Sequence, residues 1–460
     1  MYRLRDRDGR VNYIDDELGV SCAIMNGWEA GLVQTPDLLE LNHEEAVSKA
    51  VRQPKYGWPL REIVRRRGGK TACVLVSDAT RAVPTARLFR YVAEELSASG
   101  ISEENVRVFV ALGVHREATE SEMKLILGDY YGRVSIENHT PYDQENLVYL
   151  GETTRGTPVW VNKRAVACDI HVQIGKVEPH EFAGFSGGRK SVLPGVSSEK
   201  TIKVNHRPEM ILAQGAGIGK LDGNPVHEDM LEAANLFRID FSVNCILNNQ
   251  LKLAAVFAGK LRESHEAAVR NVRERLGVRI QRPDILVTTP GKPLDIDFYQ
   301  SVKALIALTE VLDERTVVIL YCGCPEGVNS PDMLNGFKSS ENLEEAVAYT
   351  INHYEVQSDH VILLAKILRK KVKVIVCCPS ISDEEIREMF MEPCPTLEAA
   401  LKRAEELCKK ERGQILFYPK PQVGLQGYGL IHGEAVLHLN GRELASCWIG
   451  ESEISPIQFL

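Results

Sequence analysis

The sequence predicts an α/β protein of two domains, each with a mostly parallel, doubly wound, Rossmann-like sheet. Three observations predict this fold. Short apolar runs alternate with longer amphipathic segments, as the strand Ala72–Val76 and the helix Thr85–Ala98 illustrate. Such βα alternation favours parallel strands connected by helices. The alternation breaks at 278–283, where Arg282-Pro283 restricts the backbone, and then begins again.

The first domain is expected over residues 1–280. An extended run near 20–25 and a helix ending in the basic run 65–67 come first. The strands that follow are expected at 72–76, 106–112, 157–161, 169–174, 241–247 and 254–258. Helices are expected at 85–98 and 263–276, from the capping box Thr119-Glu-Ser-Glu122, and from near Ser198.

The second domain is expected over residues 281–422. Its strands are predicted at 284–288, 317–321, 372–376 and 415–418, and its helices at 301–312, 343–349 and 358–368. The tail, 423–460, is polar and irregular, and the sequence gives no placement for it. Ligands of open α/β sheets bind outside the carboxyl ends of the strands, so the active site is expected in the cleft between the two domains.

Composition excludes several classes of protein. The chain of 460 residues is 44% hydrophobic and 26% charged, which is typical of a soluble globular protein. A formal charge of −8 argues against nonspecific nucleic-acid binding. No apolar run is long enough for a membrane helix, and the charged N-terminus does not resemble a secretory signal.

The 11 cysteines contain no C-x-x-C pair, which indicates reduced thiols and a cytoplasmic protein. Two close pairs occur, Cys322-Gly-Cys324 and Cys377-Cys378, in or beside apolar strand-like runs. We interpret both pairs as buried structural thiols.

The segment from His171 to His206, HVQIGKVEPHEFAGFSGGRKSVLPGVSSEKTIKVNH, concentrates the reactive side chains. A glycine-rich loop can turn its backbone N–H groups toward an anion. Lys190 beside it can pair with phosphate or attack a carbonyl-type centre. His180 and His206 can each carry protons or bind a metal. The loop is not a P-loop, because Arg189 stands where that pattern needs glycine.

Other polar side chains also follow predicted strands: Asp78 and Arg81, His115, and the group Tyr299, Gln300 and Lys303. Each has a structural alternative. Asp78 can cap a turn, Arg81 can form an exposed ion pair of little energetic value, and Tyr299 and Lys303 can share one packed helix face. His139 and His171 are interpreted as structural.

Together these segments resemble the nickel-pincer lactate racemase family, whose members racemise or epimerise 2-hydroxy acids. The resemblance rests on SDATRAVP, GVHREAT, PHEFAGFSGGRKSVLPG with Asn205-His206, and DFYQSVK, and it covers residues 70–310. It implies nickel held by a pyridinium-3,5-bisthiocarboxylate mononucleotide, with a protein histidine completing the coordination. It also implies cofactor-synthesis enzymes as maturation partners. Nucleic acid and membrane are not expected as partners, because of the net charge and the lack of a long apolar run.

The resemblance assigns roles residue by residue. His206 matches the nickel ligand, and Lys190 matches the lysine that can bind the cofactor covalently. His115 and His180 match the paired acid–base histidines. The loop of Asp78, Ala79, Thr80 and Arg81 matches the cofactor contacts. Substrate contacts are implied for Arg81, Tyr299, Gln300 and Lys303.

The implied activity is that of an isomerase. Hydride leaves C2 of a 2-hydroxy acid for the cofactor and returns to the opposite face, while two histidines titrating near neutrality handle the hydroxyl proton. The family's tryptophan near the substrate has no counterpart here, since tryptophans stand only at 28, 58, 160 and 448. The substrate is therefore expected to be larger or more polar than lactate.

Two other functions compete with this interpretation. One is a nicotinamide-dependent 2-hydroxy-acid dehydrogenase, which is disfavoured because no G-x-G-x-x-G follows an early strand. The other is a non-catalytic hydroxy-acid-binding regulator on the same scaffold. A binder needs cations for the carboxylate, but it has no need of two bases.

Overall fold

The computed structural model describes residues 1–7, 10–42, 44–280, 282–338, 340–427, 438–439 and 442–443. Most of the predicted tail, 423–460, lies outside these described residues. The chain divides into two compact units. The first unit is Asp37–Val272, and the second unit combines Met1–Pro36 with Arg273–Leu460. Each is α/β with a mostly parallel sheet, which confirms the predicted fold class.

The sheet of the first unit has the strand order of a Rossmann fold. Its strands are β1 (Ala72–Val76), β2 (Val106–Val110), β3 (Ser135–Asn138), β4 (Ile170–Lys176), β5 (Phe241–Leu247) and β6 (Leu253–Gly259). They lie in the order β6-β5-β4-β1-β2-β3, and all pairs are parallel except β5 with β6. Strands β2 and β3 are added on one side of β1, and β4, β5 and β6 are added on its other side, so the strand order reverses between β1 and β4. That reversal is where α/β proteins bind ligands.

Helices precede, connect and follow these strands. They are α1 (Glu44–Arg52), α2 (Leu60–Arg67), α3 (Thr85–Ala98), α4 (Glu120–Leu127), α5 (Lys163–Val166), α6 (Glu199–Asn205), α7 (Pro208–Leu212), α8 (Pro225–Phe237) and α9 (Leu261–Arg275). The capping box at Thr119 is present, because Thr119 and Glu122 each accept from the other's backbone N–H. Ser198 caps α6 by accepting from the N–H of Thr201 at 3.2 Å, as the sequence predicts.

The second unit has its own parallel sheet. Its strands are β7 (Ile285–Thr289), β8 (Val317–Tyr321), β9 (Lys373–Cys377), β10 (Glu392–Pro393) and β11 (Gly413–Pro419). The order is β10-β9-β8-β7-β11, and the strand Trp28–Leu32 pairs in parallel with β11. His438–Leu439 and Arg442–Glu443 extend this edge. The two units differ from the predicted domains in residues 1–36 and 273–280, which both belong to the second unit. Residues 1–36 belong there because Trp28–Leu32 pairs with β11.

The helices of the second unit are α10 (Phe298–Ser301), α11 (Lys303–Ala307), α12 (Pro331–Lys338), α13 (Leu343–Asn352), α14 (Asp359–Leu368), α15 (Asp383–Glu388) and α16 (Leu397–Cys408). The single helix predicted at 301–312 is wrong. Asp297 accepts from the N–H of Gln300 at 2.6 Å and starts the helix three residues earlier, and the chain then breaks into α10, α11 and a 3₁₀ turn at Thr309–Val311. Tyr299 and Lys303 consequently belong to two short helices.

Smaller strand pairs lie outside the main sheets. Tyr2–Arg7, Arg10–Asp15 and Val20–Ala23 form an antiparallel sheet. The other pairs are Leu147–Glu152 with Pro158–Asn162, Pro179–His180 with Gly184–Phe185, and Gly277–Arg279 with Leu425–Gly427. The strand predicted at 157–161 therefore belongs to a hairpin, since its partner precedes it directly in the chain.

The central strands are buried on both faces. Every residue of β1, β7 and β8 is buried, as expected where helices cover a parallel sheet on both sides. Aromatic packing adds to the core of the second unit, where the rings of Tyr13 and Phe417 stack with centroids 4.1 Å apart. No helix in the described ranges is long and apolar enough to cross a membrane.

Candidate active site

The predicted reactive side chains of the first unit lie at the carboxyl ends of its strands. Asp78 follows β1, His115 follows β2, and the segment containing His180 and Lys190 follows β4. Because β1 and β4 are neighbours at the reversal of strand order, their loops meet at one edge of the sheet. The fold itself therefore gathers residues that lie far apart in sequence.

One cluster centres on Asp78. Its carboxylate caps the 3₁₀ turn Ala79–Arg81 by accepting from the backbone N–H of Thr80 at 2.9 Å, and it also accepts from the Thr80 hydroxyl. The other carboxylate oxygen lies 3.2 Å from His115 Nδ1 and 4.0 Å from Arg81 Nε. Arg81 in turn lies 3.5 Å from His115 Nε2. Asp78 is thus both a cap and a partner of the histidine.

The ionisation of Asp78 follows from these contacts. Burial raises the pKa of its carboxyl, but the hydrogen bond from His115 and the charge of Arg81 outweigh burial and hold the pKa well below its usual range. Asp78 is therefore a carboxylate near neutral pH. A carboxylate in this position fixes the imidazole and stabilises its protonated form.

A second cluster repeats this arrangement around His180. The Nδ1 atom lies 3.3 Å from a carboxylate oxygen of Glu181, and the Nε2 atom lies 3.0 Å from Lys190 Nζ. Each histidine therefore has a carboxylate beside one ring nitrogen and a cation beside the other. The His180 side chain is 21% exposed, against 46% for His115.

The cation beside His115 determines which nitrogen of that ring carries the proton. A guanidinium group has N–H donors and no lone pair, so Nε2 of His115 accepts from Arg81, and Nδ1 carries the proton toward Asp78. The His115 imidazole consequently presents its lone pair on Nε2. At His180 the backbone N–H of Ala183 donates to Nδ1 at 3.4 Å, and Lys190 Nζ lies 3.0 Å from Nε2, so both ring nitrogens face N–H donors.

Phe182 lies at the centre of the second cluster. Its ring meets His180 edge-on with centroids 4.8 Å apart and His206 edge-on at 5.1 Å. Lys190 Nζ lies 5.8 Å from the centre of the same ring. His206 ends α6 and is 5% exposed. The Phe182 ring therefore contacts His180, Lys190 and His206, three residues that the sequence analysis selected separately.

The glycine-rich loop keeps its shape by backbone freedom and one buried cation. Gly187 has φ 77°, and a Cβ there would meet Val177 Cγ2 at 2.7 Å and the Lys176 carbonyl at 2.8 Å. Arg189 is buried, donates to the Ala183 carbonyl at 2.7 Å, and lies 2.9 Å from His265 Nε2. Arg189 therefore anchors the loop from inside, while Lys190 points to His180.

In the second unit, Tyr299 and Gln300 lie in α10, and Lys303 starts α11. The Tyr299 ring packs on the His360 ring with centroids 3.9 Å apart, and its hydroxyl donates to Asp359 at 3.4 Å. His360 Nδ1 lies 2.7 Å from the same Asp359 oxygen. The predicted residue Tyr299 therefore belongs to a polar cluster with Asp359 and His360.

The two histidines interpreted as structural are tied down inside the first unit. His139 Nε2 donates to the carbonyl of Ser197 at 2.9 Å, and His171 Nδ1 donates to the carbonyl of Arg238 at 3.1 Å. Burial, only partly offset by the hydrogen bond to Ser197, lowers the pKa of His139 to about 4. These histidines are neutral packing residues.

Sequence reasoning missed Phe182, Glu181 and Arg189 as contributors to the site. Glu181 follows His180 directly, and a carboxylate beside a histidine is a signal that the sequence does contain. Phe182 carries no reactive group, and its role depends on the positions of three other side chains. From the sequence, Arg189 was used only to exclude a P-loop and was assigned no structural role.

Two family models match the chain. The one described as the lactate racemase N-terminal domain matches residues 16–219, and the one described as the lactate racemase C-terminal domain matches residues 278–420. The chain is 32% identical to a lactate racemase of Thermoanaerobacterium thermosaccharolyticum over 81% of its length and 88% of that protein. It is 30% identical to a lactate racemase of Lactiplantibacillus plantarum, over 79% of the chain and 87% of that protein.

Solved structures show the same similarity. The structure of the lactate racemase apoprotein from Thermoanaerobacterium thermosaccharolyticum superposes with a TM-score of 0.80 at 28% identity, covering 91% of this chain and all of that one (100%). A Thermotoga maritima protein superposes with a TM-score of 0.62 at 19% identity, over 85% of this chain and 99% of that one. The second match supports the fold alone.

Proposed function

The chain belongs to the lactate racemase family, and from that premise we propose that it interconverts the stereoisomers of a 2-hydroxy acid. The observation that carries the proposal is the repeated cluster of carboxylate, histidine and cation. Asp78, His115 and Arg81 form one copy, and Glu181, His180 and Lys190 form the other. A racemase must serve two mirror-image substrates, so two equivalent bases suit its task.

The histidines handle the proton of the substrate hydroxyl. With Nδ1–H directed at a carboxylate, Nε2 of one histidine takes this proton from one stereoisomer as C2 becomes planar. The other histidine enters the turnover as imidazolium, with a proton on Nε2 as well as on Nδ1. It supplies the Nε2 proton when the opposite stereoisomer forms, and the roles exchange in the reverse direction. Asp78 and Glu181 stabilise the imidazolium that exists between these steps.

The cations beside the histidines orient the substrate. Arg81 can bind the substrate carboxylate through two parallel N–H donors, which fixes the plane of the acid as well as its position. Its side chain is 45% exposed, so it is accessible to a ligand. We propose that Tyr299, Gln300 and Lys303 supply further substrate contacts, as the family resemblance implies.

We propose that the chain uses the nickel-pincer nucleotide of its family, made by separate cofactor-synthesis enzymes in the cytoplasm. His206 would hold the nickel, Lys190 would hold the nucleotide, and the turn Asp78–Arg81 would contact it. The residues fit this group, because His206 and Lys190 both lie against Phe182 and a glycine-rich loop adjoins them. When bound, the cofactor would supply the hydride acceptor and donor for C2.

We further propose a substrate more polar than lactate, such as a sugar acid or a hydroxy diacid. His360 is buried and Tyr354 is half-buried with its hydroxyl shielded from solvent, and His360 Nε2 and the Tyr354 hydroxyl have no hydrogen-bond partner among the described residues. Leaving such groups unsatisfied costs about 1–3 kcal/mol each. A substrate hydroxyl or second carboxylate bound to His360 would recover this energy.

The experiment that tests the proposal is a screen of 2-hydroxy acids with protein co-produced with the cofactor-synthesis enzymes. Each pure stereoisomer is supplied without nicotinamide nucleotide, and chiral chromatography follows the appearance of its partner. We expect interconversion of at least one polar 2-hydroxy acid. Turnover only with added nicotinamide would favour a dehydrogenase instead, and binding without turnover would favour a regulator.

A further inference from the structure

Three cysteines of the second unit converge at one edge of its sheet. Cys322 and Cys324 follow β8, and Cys378 follows β9, the neighbouring parallel strand. Their Sγ atoms all lie within 4.8 Å of one another, and all three residues are buried. Among the described residues, they are the one set of three His, Cys, Asp or Glu side chains whose ligand atoms come so close. The two close cysteine pairs of the sequence thus contribute to one cluster.

The backbone around the cluster is held in an uncommon conformation. Cys324 has φ 47°, in the left-handed region that costs a residue with a Cβ about 1 kcal/mol or more. The N–H of Cys324 donates to the Asp295 carbonyl at 3.1 Å, and the N–H of Gly323 donates to the Asp295 carboxylate at 2.8 Å. A Cβ at position 323 would lie 2.8 Å from that carboxylate. The turn between the two cysteines is therefore fixed by specific contacts and needs glycine at its centre.

Residues held in sparsely populated backbone conformations cluster at active sites and ligand sites. Isolated buried thiols can pack as small apolar groups, and Cys73 and Cys245 of the first unit are buried in this way within strands. The cluster differs because it lies at the carboxyl ends of parallel strands, where α/β sheets bind their ligands. Ser301 and Asp295 add oxygen atoms nearby, with Ser301 Oγ 3.3 Å from Cys324 Sγ.

We propose that Cys322, Cys324 and Cys378 form a thiolate site for one zinc ion. Sulfur ligands at about 2.3 Å in a tetrahedron lie about 3.8 Å apart, which the observed cluster reaches by small side-chain shifts. A divalent ion leaves three thiolates with a single negative charge, whereas a monovalent ion leaves two, which is more costly to bury. The Ser301 hydroxyl, 3.3 Å from Cys324 Sγ, would complete the tetrahedron as a neutral oxygen ligand.

The ligands of this site all belong to the second unit, whereas His206, the residue proposed to hold nickel, belongs to the first. A bound ion would tie the loop after β7 to the ends of β8 and β9. Its binding would release protons from the thiols, since the thiolate is the form that binds. Its role is structural, because three protein ligands and a fourth oxygen leave no open position for a substrate.

The test is cobalt and zinc titration of the full-length protein, purified reduced and free of metal. We expect one equivalent of Co²⁺ to give sulfur-to-metal charge-transfer bands, and Zn²⁺ to displace it. Cys322→Ser, Cys324→Ser and Cys378→Ser should each weaken binding at least tenfold and diminish these bands. Cys377→Ser is the matched control, because Cys377 is the neighbouring buried thiol and instead donates to the Thr396 carbonyl at 3.5 Å.

A second measurement keeps the proposal testable if the serine variants do not fold. X-ray absorption of wild-type protein loaded with one zinc should show three sulfur neighbours at about 2.3 Å. His206→Ala should leave that spectrum unchanged. No uptake of zinc, a zinc shell of nitrogen and oxygen, uptake of copper(I) but not zinc, or full binding by Cys378→Ser would each overturn the proposal.

Discussion

Replacing Asp78 by asparagine tests the carboxylate–histidine–cation arrangement without changing its shape. In Asp78→Asn the amide oxygen can still accept from the N–H of Thr80, so the turn that starts at Ala79 should persist. The amide nitrogen, however, would direct N–H groups at His115 Nδ1. That ring nitrogen would then have to accept, which moves the ring proton to Nε2 and removes the lone pair from the catalytic side.

The expected loss follows from the value of a general base. Positioned acid–base catalysis contributes about 10²–10⁴-fold, so Asp78→Asn should lower kcat/KM by that factor, equivalent to about 3–5 kcal/mol of transition-state stabilisation. The melting temperature should change little, because the cap is retained. The assay is stereoisomer interconversion at several pH values together with thermal unfolding.

The pH dependence sharpens this test. The pKa of Asp78 lies below its usual range, so its folded form is ionised above that depressed value and its contribution is lost only as pH falls through it. The acid limb of activity in the wild type should therefore not reflect protonation of Asp78. Asp169→Asn is the matched control, since this exposed carboxylate accepts from the N–H of Lys70 at 2.9 Å before the start of β1 and contacts none of the proposed catalytic residues. Retention of more than a tenth of the activity in Asp78→Asn would refute the reasoning.

Three further predictions concern the metal, the substrate and acid stability. Protein matured with the cofactor-synthesis enzymes should contain about one nickel per chain by elemental analysis. His206→Ala should lose it, because in the proposed site His206 would be the protein's own ligand to the metal. Full nickel occupancy in the variant would contradict this role. His360→Phe should lower kcat/KM for the best polar substrate at least tenfold while affecting lactate much less, and equal losses for both acids would exclude His360 from substrate recognition. Folding lowers the pKa of His139 from its ordinary 6.5 to about 4. Between these two pH values His139 is protonated in the unfolded chain and neutral in the folded chain. The free energy of unfolding therefore falls as pH drops from about 6.5 to 4, by at most roughly 3 kcal/mol. His139→Gln should flatten that part of the curve in urea titrations, and an unchanged slope would show that His139 does not carry it.

Local sequence patterns predicted the elements that depend on local forces. The helix Thr85–Ala98 and the strands Ala72–Val76 and Val317–Tyr321 have the predicted limits, because amphipathic period and apolar runs determine them. The rule that ligands bind at carboxyl ends of strands also selected Asp78 and His115 correctly as neighbours, at 3.2 Å.

Interactions between distant segments could not be predicted in the same way. The pairing of Trp28–Leu32 with β11 joins the two ends of the chain, and nothing in either segment encodes that partner. The convergence of Cys322 with Cys378 likewise depends on two strands lying side by side. The start of α10 was predicted three residues too late, because Asp297 was taken as part of the preceding loop and not as the N-cap of the helix.

The central claim is that His115 and His180 serve opposite stereoisomers. Its most direct test is single-turnover reaction of cofactor-loaded protein with each pure stereoisomer, followed through the cofactor absorbance, for wild type, His115→Gln and His180→Gln. Each variant should lose complete interconversion, and each should react about 10²–10⁴-fold more slowly with one stereoisomer than wild type does while sparing the other. The spared stereoisomer should differ between the two variants. Equal losses with both stereoisomers in both variants would contradict the two-base account.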